Sequence, residues 1–195
     1  MIIVAHRRST RAELQSTPAQ LGVEVDIRTQ GSRLIVAHDP FVDGEDFREW
    51  ILVYRHALLI LNVKEEGLES ALLEIMRERG ISQFFFLDQT FPFLVKTARL
   101  GERRCAVRVS EYESVDTALT LSGMVEWVWV DCFTRFPLAA GDVERLRQAG
   151  MKLCLVSPEL QGRHDPAEIT ALRRQLDVLG AQASAVCTKY PERWR

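Results

Sequence analysis

Short apolar runs alternate with amphipathic stretches along the whole chain. The apolar runs predict eight strands, at residues 2–5, 23–28, 58–63, 83–87, 105–109, 126–130, 151–156 and 184–187. The amphipathic stretches between them predict helices at about residues 11–20, 45–54, 66–79, 91–100, 113–121, 141–149 and 166–179. Strands that alternate with helices are typical of a parallel sheet that is covered on both faces.

This succession of units predicts a compact (β/α)8 TIM barrel, formed by residues 1–195 as a single domain. The chain is slightly shorter than is usual for that fold. A doubly wound open sheet is the alternative, but no G-x-G-x-x-G loop follows the first strand, so nothing favours a dinucleotide-binding fold. Active sites of barrels lie at the C-terminal ends of the strands, and polar residues there are the candidates for function.

Composition excludes several classes of protein. A net charge of −2 provides no basic surface, so we expect no nucleic-acid partner. No apolar stretch approaches the roughly 20 residues of a membrane span, and the first residues do not follow the pattern of a signal peptide. The four cysteines are far apart and form no C-x-x-C pair, which favours reduced, buried thiols and a cytoplasmic location. The oligomeric state stays open.

Titratable side chains cluster at the ends of the first two predicted strands. His6 and Arg7 follow the first strand directly, and His38 ends a later apolar run. Glu24 and Asp26 are two positions apart in the second strand, so both carboxylates point to the same face. Two carboxylates, two histidines and an arginine can hold a divalent cation and transfer protons beside an anionic substrate.

Later strands add further candidates for the same site. Asn62 and Lys64 share a face of the third predicted strand, and Arg108 lies near the end of the fifth. We predict that Lys64 and Arg108 contact a substrate. A structural interpretation stays open beside this one, because Glu24 and Asp26 could serve only as partners of arginines in a salt-bridge cluster.

The order of these motifs resembles the glycerophosphodiester phosphodiesterase family, which belongs to the phosphatidylinositol-specific phospholipase C-like barrels. The segments that carry the resemblance are Val4-Ala5-His6-Arg7, Glu24-x-Asp26, His38-Asp39, Asn62-x-Lys64 and Thr188-x-Tyr190-Pro191. The resemblance covers the chain in outline and is dense only within residues 2–40.

The resemblance implies a barrel enzyme that cleaves phosphodiesters with the help of a divalent cation. His6 and His38 match the general base and general acid of the family, and Arg7 and Lys64 match residues that contact the phosphate. Histidine suits both proton transfers because its unperturbed pKa is about 6.5.

The resemblance also implies a magnesium or calcium site. Glu24 and Asp26 match two of its ligands. Asn62 occupies the position of a third ligand, where the family has glutamate, and Arg8 replaces the usual glycine after His-Arg. An amide oxygen can bind a hard cation but has no formal charge, so we expect a lower affinity, for which Asp88 could compensate.

We therefore expect a metal-dependent phosphoric diester hydrolase that acts on a small or glycan-linked phosphodiester. The alternative is a catalytically weakened barrel that binds a phosphorylated ligand or partner without turnover. A third possibility is a lyase or isomerase that uses Lys64 as a base or as a Schiff-base amine. The identity of the metal, the alcohol groups of the substrate and the form of the product, cyclic or open, stay undetermined.

Overall fold

The computed structural model describes all 195 residues and contains one curled sheet with helices on its outer side. The strands are β1 (Ile2–Ala5), β2 (Gly22–Gln30), β3 (Arg33–Val36), β4 (Glu45–Asp46), β5 (Leu59–Val63), β6 (Phe84–Leu87), β7 (Ala106–Val109), β8 (Trp127–Val130), β9 (Lys152–Val156) and β10 (Ala185–Thr188). The α-helices are α1 (Arg11–Ser16), α2 (Phe47–Trp50), α3 (Glu69–Glu78), α4 (Phe91–Arg99), α5 (Val115–Thr120), α6 (Ala140–Gln148) and α7 (Pro166–Leu179). Short 3-10 segments follow α2, β9 and β10.

Eight of the strands pair in parallel, in the order β6-β5-β2-β1-β10-β9-β8-β7. Between β6 and β7, at the two ends of this order, a single bridge joins Phe86 to Cys105, and Phe86 N donates to Arg104 O at 2.8 Å. The predicted mixed α/β fold with a curled parallel sheet is therefore confirmed. A complete TIM barrel is not confirmed, because the ladder is reduced to that one bridge at the β6–β7 seam.

Alternation of side chains along the strands produces two hydrophobic layers. Val25, Leu61 and Phe86 face outward, where they pack in a cluster that includes residues of the helices. The intervening positions face the inside of the curled sheet, and there Phe85 stacks on Trp127 with ring centroids 4.5 Å apart. This filled interior supports the polar residues at the C-terminal ends of the strands.

An antiparallel extension is the main feature that the sequence patterns did not predict. β2 continues beyond the predicted end to Gln30, the chain turns at Gly31-Ser32, and β3 returns alongside β2. Gly31 has a φ of +63°, as the two-residue turns of hairpins require. The register pairs Ile27 with Val36, so the residues that follow β3 lie beside Asp26 of β2.

All seven predicted helices are present, but several boundaries were wrong, among them the start of the helix predicted at 66–79, which begins at Glu69. The helix predicted at 11–20 ends at Ser16, and Thr17 is already extended before Pro18. The helix predicted at 45–54 begins only at Phe47, because the Asp46 side chain accepts hydrogen bonds from the first turn as an N-cap. None of the helices is long and apolar enough to cross a membrane.

Truncation of the interior stack tests how much the filled sheet contributes to stability. We expect Phe85→Ala to lower the free energy of unfolding by about 3–5 kcal/mol, because the substitution leaves a cavity between buried rings. Denaturant unfolding would measure this loss. Phe41→Ala is the control, since that ring is fully exposed, and an equal loss in both variants would contradict the packing described here.

Candidate active site

Three adjacent parallel strands bring the first group of candidate residues together. Ala5 of β1 pairs with Val23 of β2, so His6 and Glu24 follow side by side. Asp26 pairs with Asn62 of β5 in the same register. Glu24 and Asp26 both point into the sheet and are 1% exposed, so the face predicted from strand alternation is confirmed.

Glu24 accepts hydrogen bonds through both of its oxygens. Arg7 N donates to Oε2 at 2.9 Å, and Asn62 Nδ2 donates to Oε1 at 2.9 Å. Arg7 has a φ of 49°, a left-handed conformation that is uncommon outside glycine. Burial, together with the neighbouring charge of Asp26, raises the pKa of Glu24 to about 7. Burial and the charge of Asp26 therefore both favour the neutral form of Glu24.

Asp26 lies between two cationic side chains. Arg7 Nε is 3.3 Å from Oδ2, and Lys64 Nζ is 3.3 Å from Oδ1. Neither carboxylate oxygen accepts a hydrogen bond of good geometry, although both are buried. Asp26 thus holds the two predicted phosphate-contacting residues in place and keeps unused acceptor capacity.

His6 is a largely buried neutral base. Its Nε2 is 3.7 Å from Glu24 Oε2, and its side chain is 16% exposed. Burial lowers the pKa of His6 to about 3, and the positive charges of Arg7, Lys189 and Lys64 act in the same direction. The imidazole is therefore unprotonated at neutral pH and can accept a proton.

His38 reaches the same end of the sheet through the β2–β3 hairpin. Ala37 N donates to Asp26 O at 3.1 Å, which fixes the backbone beside β2. The His38 Nδ1 atom is 2.7 Å from Asp39 Oδ1, and the imidazole is 41% exposed. The hydrogen bond with His38 lowers the pKa of Asp39, so that carboxylate stays ionised and can stabilise an imidazolium. The two histidines therefore differ in burial and in partners.

Ion pairs continue from Lys64 across the ends of the next strands. Lys64 Nζ is 3.1 Å from Asp88 Oδ2. Arg108 pairs with Asp88 and with Asp131, and its Nε is 3.7 Å from Glu113 Oε1. Asp131 is fully buried, and burial raises its pKa. Arg108, which the sequence predicts as a substrate contact, is thus surrounded by carboxylates of this chain.

A buried glutamate that the sequence analysis did not select organises the last strand end. Glu159 is 2% exposed and accepts hydrogen bonds from Thr188 Oγ1 at 2.6 Å and from Lys189 N at 2.9 Å. Its other oxygen accepts a bond from Ser157 Oγ. The only local signal was an acidic residue shortly after β9, because its partners come from β10. Glu159 fixes the backbone of Lys189 near His6.

The oxygen atoms at the bottom of the site fit a hard divalent cation in donor type. Both oxygens of Asp26 and the Oδ1 of Asn62 are buried without hydrogen-bond donors, and carboxylate and amide oxygens are the ligands that magnesium and calcium prefer. No three side chains of the His, Cys, Asp and Glu types are arranged as a metal site. A cation here would therefore depend on the Asn62 carbonyl together with Glu24 and Asp26.

Fold and site together define a curled α/β sheet with acid–base and cationic groups at the C-terminal ends of its strands. Comparisons with family models and with curated protein sequences found no match. Among solved structures, the chain is similar to a glycerophosphodiester phosphodiesterase from Agrobacterium tumefaciens str. C58, with a TM-score of 0.69, 14% identity, and coverage of 100% of this chain and 97% of that one.

A glycerophosphoryl diester phosphodiesterase from Parabacteroides distasonis ATCC 8503 is similar to the same extent. Its TM-score is 0.68 at 14% identity, with 98% of this chain and 84% of that chain covered. At this identity the likeness shows a common fold. The resemblance drawn from the sequence motifs is confirmed at that level.

Removal of Arg108 tests the ion-pair network. We expect Arg108→Met to lower the free energy of unfolding by about 3–5 kcal/mol, because it leaves the buried Asp131 without its guanidinium. The double variant with Asp131→Asn should recover part of the loss, since the unpaired charge is then absent. Denaturant unfolding of both variants would measure this. Arg145→Met, which breaks an exposed pair, should change stability far less; equal losses would contradict the assigned network.

Proposed function

We propose that this protein is a phosphoric diester hydrolase resembling the glycerophosphodiester phosphodiesterases, with a small or glycan-linked phosphodiester as substrate. The observation that carries the proposal is the pair of histidines at one end of the sheet. His6 is buried and neutral, whereas His38 is half-exposed and paired with a carboxylate. Two imidazoles in such different settings are suited to opposite proton transfers.

In this proposal His6 is the general base and His38 the general acid. His6 takes the proton of the attacking hydroxyl, which belongs either to the substrate or to water. His38, oriented by Asp39, gives a proton to the alcohol oxygen that leaves phosphorus. After one turnover His6 carries an extra proton and His38 has lost one. Exchange of protons with solvent then restores both histidines before the next turnover.

Arg7 and Lys64 are the proposed contacts for the phosphoryl oxygens. Both side chains lie 3.3 Å from Asp26, which positions them without covering every donor. Arginine offers several parallel N–H donors to a phosphate, and lysine supplies a compact charge. Arg108 has a different role in this proposal, because its carboxylate partners hold it as a support for Asp88 and Lys64.

Glu24, Asp26 and Asn62 are the proposed ligands of a magnesium or calcium ion. When bound, such an ion would stabilise negative charge that develops on the phosphoryl oxygens. Its charge would also favour the ionised form of Glu24, whose raised pKa reflects burial beside Asp26. The protein residues themselves provide the proton transfers and the orientation of the substrate.

A closed (β/α)8 barrel is the proposed scaffold for this chemistry. Support comes from the eight parallel strands and from the bridge between Phe86 and Cys105 at the β6–β7 seam. Closure would surround the site on all sides with strand ends, as in other barrel enzymes.

Binding without turnover is the second candidate function. The observation that favours it is the charge balance at the bottom of the site, where Arg7 and Lys64 already compensate the charges of Glu24 and Asp26. An Asn62 carbonyl adds no third negative charge. In this case the protein would bind a phosphorylated ligand and release no alcohol. The Lys64 lyase or isomerase receives no comparable support, since Lys64 makes two ion pairs as an ammonium.

Substitution of the histidines tests the hydrolase. We expect His6→Ala and His38→Ala each to lower kcat by about 10²–10⁴, the usual contribution of general acid–base catalysis. Released alcohol from a generic phosphodiester, assayed with magnesium or calcium, would measure the effect. His164→Ala is the matched control, because that side chain is exposed and is none of the proposed site residues. No turnover by the wild-type protein despite ligand binding would favour the second candidate.

Cation affinity should depend on pH through Glu24. The carboxylate must lose its proton to act as a ligand, and its pKa is raised to about 7. We therefore expect magnesium or calcium affinity to fall about tenfold for each pH unit below 7 and to level off above it. Isothermal titration calorimetry between pH 5.5 and 8.5 would measure this. An affinity that does not change over that range would contradict the assigned ligand.

Substitution of Asn62 tests the composition of the proposed metal site. Asn62→Asp adds a third carboxylate, so we expect cation affinity to rise on the order of tenfold. Without a cation the variant should unfold at a lower temperature, because three buried negative charges then repel one another. Asn62→Ala removes the oxygen donor and should weaken binding. Equal affinities in all three proteins, from calorimetry and thermal unfolding, would exclude Asn62 as a ligand.

A further inference from the structure

A large cavity lies at the β6–β7 seam, between helices α4 and α5. Its volume of about 650 Å³ is within the usual range for small-molecule sites. The cavity exists because only one bridge joins β6 to β7 and because α5 has just six residues. Its walls include Asp88 and Arg108 of the ion-pair network and neither histidine.

The cavity is connected to the proposed phosphate site through one side chain. Asp88 lines the cavity and is also 3.1 Å from Lys64 Nζ, which in turn lies 3.3 Å from Asp26. A group attached to a phosphate at Lys64 would therefore extend toward this space past Asp88, which is also paired with Arg108.

The walls combine exposed aromatic rings with hydrogen-bonding groups. Tyr112 is 79% exposed and Phe91 is 50% exposed. Ser114 and Thr117 contribute hydroxyl groups. Gln89 donates through Nε2 to two neighbours, while its buried Oε1 has no donor. The space therefore offers flat apolar faces and exposed hydroxyl groups.

This chemistry favours a neutral ligand with many hydroxyl groups over the alternatives. A sugar ring can stack its C–H face on an aromatic ring and form hydrogen bonds with the exposed hydroxyl groups of Ser114 and Thr117. An acyl chain would cover these hydroxyl groups without giving them a partner, which is costly. A strongly charged group would find little free charge, since Asp88 and Glu113 both neighbour Arg108.

We propose that the cavity binds a carbohydrate group that forms one alcohol portion of the phosphodiester. The inference rests on the proposed function for the position of the phosphate. It narrows the substrate to a carbohydrate phosphodiester and assigns Tyr112, Ser114 and Thr117 to its recognition.

Kinetics with two substrates tests the inference. We expect a glycerol phosphodiester of glucose to have a lower KM than glycerophosphoglycerol. Tyr112→Ala should raise the KM of the glucose diester roughly tenfold through lost stacking, with little change for the glycerol diester, and Tyr112→Phe should retain most of the difference. Val178→Ala, an exposed position on α7, is the control. Equal KM values for both diesters would overturn the carbohydrate site and leave the hydrolase proposal intact.

A binding measurement makes the inference independent of turnover. In amide NMR spectra of the wild-type protein, glucose 1-phosphate should shift the signals of Gln89, Ser114 and Thr117, whereas glycerol 3-phosphate should not. Absence of these shifts would overturn the inference whether or not the protein hydrolyses either diester. Their presence without hydrolysis would support the carbohydrate site and count against the hydrolase.

Discussion

The rest of the site depends on two carboxylates that are buried on one face of β2 and whose negative charges must be compensated. Glu24 and Asp26 are both almost completely removed from water, and like charges in such a place repel each other. The chain compensates with two cations on Asp26 and two hydrogen-bond donors on Glu24. The left-handed backbone of Arg7 follows from the same need, because it directs an N–H group to Glu24.

The compensation extends across the sheet as alternating charges. Asp26, Lys64, Asp88, Arg108 and Asp131 follow one another from β2 to the residue after β8. Each buried or half-buried charge in this series has a partner of opposite sign, which avoids the cost of an isolated charge. Such a network fixes the direction of Lys64 more firmly than a single pair would. It also pairs the Arg108 guanidinium with carboxylates of this chain.

The ion-pair network crosses the β6–β7 seam, where the backbone pairing of the sheet is weakest. Most neighbouring parallel strands share a continuous ladder, whereas these two share one bridge. Asp88 directly follows β6, and Arg108 lies near the C-terminal end of β7. Their ion pair connects the two strands beyond the bridge. The cavity opens outside that pair, so the same seam limits strand pairing and provides space for a ligand.

The sequence by itself determined the eight parallel strands, the presence of the seven helices and which side chains of β2 face inward. Period-two alternation placed Glu24 and Asp26 on the inner face without any tertiary information, because the direction of a strand side chain depends only on its position. The sequence also predicted that the polar residues at the C-terminal ends of the strands lie at one edge of the sheet, since parallel strands all end there.

Tertiary structure alone decided which of these residues meet. His38 approaches His6 because an antiparallel hairpin reverses the chain, and the short β3 had too weak a pattern to predict that return. Asp88 and Asp131, which pair with Arg108, follow β6 and β8. Glu159 binds Thr188 and Lys189 at the end of β10, so these contacts are not local in sequence. Periodicity reports the environment of one residue, whereas contacts between distant strands depend on register and closure, which only the folded chain establishes.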